Sequence, residues 1–282
     1  VVVDGGEIEV TAAGAVGASA LSSNGTATVD VKNGGSITAG SDAAAAIAGL
    51  GLSIGDGFTA VGSGSQTVSL VPQPSGGISH GTHLFATAGE PGSGWYRIGA
   101  VQNAGIALRQ ALALLNATAE QANAALEQGV QASDPLFVPY VAGERTPFVD
   151  PALRGAWRGL SLDTSREAML RSVVEGVAHA VALGIDAVLG AGAPLPDPLP
   201  LIGGGSVDVR FRQLIADASG RRLAPRDQPD AAVVGAAFLA LGVSALPVSG
   251  ADDVIEPLSS AHELLAVRQQ RLVEYVQHGH EQ

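Results

Sequence analysis

Phe137-Val138-Pro139-Tyr140-Val141-Ala142-Gly143-Glu144-Arg145-Thr146-Pro147-Phe148-Val149-Asp150-Pro151-Ala152-Leu153-Arg154-Gly155-Ala156-Trp157-Arg158-Gly159-Leu160 is the stretch on which the reading of this chain turns. It opens like a strand, passes through a polar Gly-Glu-Arg-Thr-Pro turn and ends in Arg and Gly ahead of a helix. Such a loop is dense in groups that fix a backbone or bind an anion. Downstream, Met169, Val173, Val177, Val181 and Ile185 recur at i+4, which predicts a long helix over 164–189 with one apolar stripe. Asp163 or Thr164 suits its N-cap, with Glu167 placed for a capping box to Thr164. Upstream, strands are predicted at 58–61, 67–71 and 95–100, and helices at 105–116 and 119–128. Beyond the long helix come a Pro-rich linker at 194–200, a strand at 199–202, and helices at 208–219, 231–241 and 259–277. Strands alternating with helices in this way indicate an α/β sheet covered by helices.

Composition narrows the functional classes. The 282 residues carry a formal net charge of −12 and no Lys/Arg run; Lys32 is the only lysine. Clustered cations are what nucleic-acid phosphates require, so a nucleic-acid surface is excluded. The absence of cysteine removes disulfides and thiolate metal sites and is compatible with a reducing compartment. No charged segment followed by an apolar one opens the sequence. The longest apolar run, 231–246, contains glycine and falls short of a membrane span. A cytoplasmic protein without a membrane partner is the expectation.

Residues 1–39 differ from the rest. They are rich in Gly, Ala, Ser, Thr and Val, and Gly5-Gly6 and Gly34-Gly35 sit in similar β-like surroundings 29 residues apart. The echo suits either a solenoid-like fragment or irregular β-rich sequence. The domain reading is therefore a β segment at 1–39, an α/β domain at 40–250 and an amphipathic C-terminal helix within 251–282.

Two glycine turns follow strands. At Gly62-Ser63-Gly64-Ser65 the missing side chains let backbone N–H groups converge on an anion, with serine hydroxyls as extra donors. At Gly203-Gly204-Gly205-Ser206 the turn opens a helix, whose N-terminal amides favour a phosphate. In a chain with 38 glycines each turn taken alone reads better as a tight structural turn, and neither is a Walker loop because no Gly-Lys-Ser/Thr follows.

Taken together and in order, these motifs resemble those of the FGGY family of carbohydrate kinases over about residues 40–245, closest to its xylulokinase branch. Gly143-Glu144-Arg145-Thr146-Pro147, Asp150-Pro151 and Arg154-Gly155 match one family block. Gly155, Trp157, Gly159, Leu160, Met169, Ser172, Val173, Val174 and Glu175 match a second, with Ala168 departing from its polar position. Gly203-Gly204-Gly205 with Phe211-Arg212-Gln213, and Ala232-Val233-Val234-Gly235-Ala236-Ala237, resemble the nucleotide-binding segment and the helix after it.

The resemblance implies a ribonuclease H-like domain of the actin/hexokinase ATPase type that works with ATP and Mg2+ on a small sugar such as a ketopentose. By that resemblance Gly62, Ser63 and Gly64 form the second phosphate loop, Gly105 approaches the ATP phosphates, and Gly204 and Gly205 contact the adenosine. Asp42, in Gly40-Ser41-Asp42-Ala43-Ala44, is placed as the base that takes the sugar hydroxyl proton. Ala43 departs from the family's Asn or Gln there, and Asp42 reads alternatively as a solvated turn residue of the N-terminal echo. Family members carry a further N-terminal domain with an Asp-x-Gly-Thr loop and most sugar contacts. No match to it is expected in this sequence, so the implied partner is a separate N-terminal half or a second copy. A non-catalytic nucleotide-binding or adhesion module is the alternative reading.

No resident metal site is expected. His80 and His83 lack a third ligand and read as a surface loop. Glu144 and Arg145 read as an ion pair shaping their loop. His278 and His280 lie near the C-terminal end.

Overall fold

The computed structural model describes residues 42–74, 80–87, 94–226, 231–241 and 253–278, with the strand backbone of the first 39 residues. Those first strands are β1 (Val2–Asp4), β2 (Glu7–Val10), β3 (Ala18–Ser23), β4 (Thr26–Val31) and β5 (Gly35–Ala39). Each pairs antiparallel with its neighbour in sequence, an up-and-down meander without the parallel rungs of a solenoid.

Helix α1 (Asp42–Gly49) follows, then β6 (Gly57–Val61), β7 (Ser65–Val71), β8 (His83–Ala86), β9 (Trp95–Val101), α2 (Gly105–Leu114) and α3 (Ala119–Ala125). The short strands β10 (Leu136–Val138) and β11 (Ala156–Arg158) pair with each other ahead of α4 (Arg166–Gly190). The remainder is β12 (Leu199–Ile202), α5 (Val209–Ser219), β13 (Leu223–Pro225), α6 (Ala231–Leu241) and α7 (Ser259–His278).

The central sheet has the order β13-β12-β6-β7-β9-β8. Strands β6, β7 and β9 are antiparallel, whereas β12 is parallel to β6 and β13 to β12. Three consecutive antiparallel strands extended by two parallel ones form the mixed sheet expected of a ribonuclease H-like domain. Edge strand β8 went unread in the sequence because it carries only four residues, mostly exposed. Its presence corrects the loop expectation for His83, which opens β8 opposite Ile98. Among the described residues no three His, Asp or Glu side chains gather into a metal set.

Helix α4 lies across β7 and β9 and is flanked by α2, α3 and α5. Val173, Val177, Val181 and Ile185 are all buried, but so is every other residue from Leu170 to Ile185, so the single apolar stripe expected from the sequence is corrected to a helix enclosed on all sides. Burying each of those Val and Ile side chains stabilises the fold by about 1.5–3 kcal/mol. By length and composition α4 is apolar enough to cross a membrane, but it is the enclosed central helix of this domain. Its cap departs from expectation. Ser165 caps it, with Oγ accepting from the Ala168 amide at 3.1 Å. Thr164 instead accepts from the Ser161 amide at 2.9 Å and holds the preceding turn. With the start at Arg166, Glu167 is one position short of a capping box.

On the sheet's opposite face, Phe58, Val68, Leu70, Tyr96 and Ile98 pack under α1 and α6. These two helices meet at Gly49 and Gly235. A Cβ on Gly49 would strike Ala231 O, and one on Gly235 would strike Ala45 O. Only glycine allows backbone to meet backbone this closely. The meander's β3 and β4 lie against α6.

Helix α7 is fastened by charge. Arg268 grips Glu175 of α4 through two bonds, one of them Nη2 to Oε2 at 2.7 Å. It also donates to the carbonyls of Ala132, Asp134 and Pro135. Arg171 forms a bidentate pair with Asp134 at 2.8 and 2.6 Å, and His179 Nε2 lies 3.1 Å from Glu175 Oε1. All five side chains are buried. Burial pushes the Glu175 carboxyl up, but hydrogen bonds and charge from His179 and Arg268 outweigh it and hold it below the ordinary glutamate range.

Candidate functional site

Strands β6 and β12 end side by side, and each is followed by a glycine turn. Between the turns opens a cavity of about 580 Å³, lined by Gly62, Ser63, Gly64, Gly203 and Gly204 and walled by Ala46 of α1 and Ala231–Val233 of α6. The turn at 62–64 is tight, with the Gly62 amide donating to Gly64 O at 2.8 Å. Its carbonyls face α2: the Ala104 and Ile106 amides donate to Ser63 O, and the Gly105 amide to Gly62 O at 3.0 Å. The first amides of α2 are thus spent on the turn itself.

Gly105 is required because a Cβ there would stand 2.5 Å from Gly62 O. It lies behind the cavity and does not line it. Gly205 is similar, exposed and resting on Val61, where a Cβ would meet Cγ1 at 2.9 Å. Gly203 takes φ 99° with Val61 O where its side chain would be, a conformation and a contact that only glycine tolerates. Gly204 alone faces open space. Of the six glycine and serine positions read from the sequence, Gly62, Ser63, Gly64 and Gly204 therefore meet at the cavity, while Gly105 and Gly205 support it from behind. Asp42 is the first residue of α1, one turn before the cavity-lining Ala46, and i and i+4 share a helix face. Its side chain lies outside the described residues.

The loop at 142–150 braces this joint. Asn103, buried at the start of α2, donates to Glu144 Oε2 at 3.0 Å and to Gly143 O, and accepts from the Ala142 amide at 3.1 Å. Glu144 Oε1 accepts from the Gln102 and Arg145 amides at 2.7 and 2.8 Å. Burial pushes the Glu144 carboxyl up, and these hydrogen bonds offset part of that rise. Thr146 Oγ1 donates to Gly81 O at 2.8 Å and accepts from the Ala100 amide at 2.9 Å.

The expected Glu144–Arg145 ion pair is not what shapes the loop. Glu144 is satisfied by amides and Asn103, while the exposed Arg145 lines the cavity. Sequence reasoning missed Arg145 and the start of α6 as cavity elements. The signals were present, since both lie inside the motifs that carry the family resemblance.

The model of the FGGY family of carbohydrate kinases, C-terminal domain, matches residues 76–242. The chain belongs to this family. It is 36% identical over 143 residues to xylulose kinase of Escherichia coli (strain K12), which covers 49% of this chain and 29% of that protein. It is 31% identical over 202 residues to xylulose kinase of Streptomyces coelicolor, 72% of this chain and 40% of that one. A crystal structure of a xyloylose kinase from Brucella ovis superposes with a TM-score of 0.75 at 27% identity, covering 87% of this chain and 53% of that one. The fold is accordingly that of the actin/hexokinase-type ATPases. The chain spans less than half the length of these two curated relatives and about half of the solved structure.

Proposed function

We propose that this chain is the ATP-binding part of a sugar kinase that transfers the γ-phosphate of ATP to a hydroxyl of a ketopentose such as D-xylulose. One observation carries the reading: the two glycine turns ending β6 and β12 open onto a single cavity in a domain whose named relatives are xylulose kinases. Phosphoryl transfer asks little covalent chemistry of a protein and much positioning and charge stabilisation. Glycine turns suit it, since they let phosphates approach backbone. In this reading Ser63 donates its hydroxyl to a phosphate oxygen, Gly204 lies against the adenosine, and Asp42 accepts the proton of the attacking sugar hydroxyl.

No carboxylate is among the described cavity residues, so Mg2+ fits as a companion of the ATP phosphates rather than as a caged ion. It supplies charge neutralisation there. The sugar contacts belong to an N-terminal kinase half, which makes the described domain one wall of a two-walled site in a cytoplasmic enzyme.

The test is a coupled ADP-release assay with D-xylulose, run beside calorimetric titration of ATP. Nucleotide binding, with turnover appearing when an Asp-x-Gly-Thr half is supplied, supports the proposal. Absence of ATP binding overturns it.

A further inference from the structure

Arg145 is the one charged residue among the described residues lining the cavity. In a chain of net charge −12, a cavity whose one described charged lining residue is a cation suits an anion. The side chain is exposed, and no described residue accepts a hydrogen bond from its guanidinium. Its backbone, by contrast, is fixed on several sides. The amide donates to Glu144 Oε1 at 2.8 Å, the carbonyl accepts from the Val149 amide at 2.8 Å, and Gly81 packs against that carbonyl so closely that a Cβ there would stand 2.5 Å away. The next residue, Thr146, is tied to both Gly81 and Ala100. A cation on a fixed stem beside an open cavity is arranged to meet a ligand rather than a partner within the domain.

We propose that Arg145 is the cavity's anion-binding side chain and that it takes a phosphate of a nucleoside polyphosphate held by the turn at 62–64. The inference rests on the kinase reading for the identity of the nucleotide, but not for the charge it assigns. A guanidinium presents a planar fork of N–H donors that matches phosphate oxygens two at a time. This also explains why the buried Glu144 binds amides and leaves its neighbour's charge free: an internal ion pair would cancel the cavity's cation.

Titration calorimetry of the whole chain and of Arg145→Gln and Arg145→Lys, with ATP, inorganic tripolyphosphate and adenosine as separate probes, tests the assignment. Loss of a charge-assisted contact predicts about 10- to 100-fold weaker ATP and tripolyphosphate binding in Arg145→Gln. Adenosine affinity should stay unchanged and Arg145→Lys should recover part of the loss. The unfolding midpoint should not move, since the guanidinium holds no described group. Equal ATP affinity in the parent chain and Arg145→Gln overturns the inference and leaves the kinase reading standing. Tripolyphosphate binding that depends on Arg145, without ATP binding, supports the anion site and overturns the nucleotide reading. Binding of neither by the parent chain overturns both.

Discussion

The joint between α4 and α7 buries Glu175, His179, Arg268, Arg171 and Asp134 together, whereas the cavity between the two glycine turns is lined mainly by Gly, Ser, Ala and Val, with two glutamines and one exposed arginine. Buried, paired ionisable groups ordinarily draw attention as sites. Here they are scaffolding: Arg268 satisfies a carboxylate and three carbonyls and so pins α7 to the core. The cavity works the other way. Its described residues carry no buried ion pair, and its glycines leave backbone within reach because they lack the side chains that would cover it. In this domain, buried charge marks what must not move, and missing side chains mark what a ligand can reach.

The comparison can be broken most forcefully at the clamp. Arg268→Ala leaves Glu175 buried with only His179 beside it, and breaking a buried pair from one side costs about 3–5 kcal/mol. Urea unfolding should show a loss of that size; a change under about 1 kcal/mol would mean the clamp is not holding α7. Next in size, Gly49→Val should destabilise by at least the 1–3 kcal/mol typical of overpacking, because its Cβ meets the α6 backbone. It should also weaken nucleotide binding without touching the cavity, since Ala231–Val233 form the wall. Unchanged affinity would show that the wall's position does not matter.

The two buried glutamates sharpen the contrast through pH. The Glu175 carboxyl is held below its ordinary value of about 4.3. Its stabilisation is therefore present above that value and lost as pH falls through the depressed folded value. Glu144 is raised, so its contribution is present below the ordinary value and fades as pH rises through the elevated one. Acid unfolding followed by circular dichroism should show a shallower loss below pH 4.3 in Glu175→Gln than in the parent chain, and identical slopes would contradict the assignment. The smallest effect belongs to Ser63→Ala. Loss of one hydroxyl donor should weaken ATP binding about three- to tenfold by calorimetry and leave the unfolding midpoint unchanged, because Ser63 is exposed at a turn.

Much of this was legible in the residues. The i+4 spacing from Met169 to Ile185 gave α4, and short β-branched or apolar runs gave β6, β7, β9 and β12 to within two residues at each end. What stayed hidden depended on tertiary geometry. Strands β8, β11 and β13 are three or four residues long, too short for a period to show, whereas β10 falls on the strand-like opening at Phe137. The α4 cap was misplaced by one or two residues because Asp163, Thr164 and Ser165 are all capping types, and only the surrounding turn selects Ser165.

The glycine motifs were visible as motifs, but not their division of labour. Nothing local says that Gly204 faces open space while Gly205 rests on Val61 and Gly105 on Gly62. Arg145 was misread for a related reason. Adjacent opposite charges suggest an ion pair, whereas the fold turns Glu144 inward to Asn103 and Arg145 outward to the cavity.

Gly204 offers the most direct measurement of the central claim that a nucleotide lies across these turns. No atom of the protein stands within 4 Å of a Cβ placed there, and its backbone lies outside the left-handed region. Gly204→Val should therefore fold with the parent chain's unfolding midpoint and lose ATP binding in a calorimetric titration. A Gly204→Val protein that folds normally and binds ATP as tightly as the parent would contradict the account.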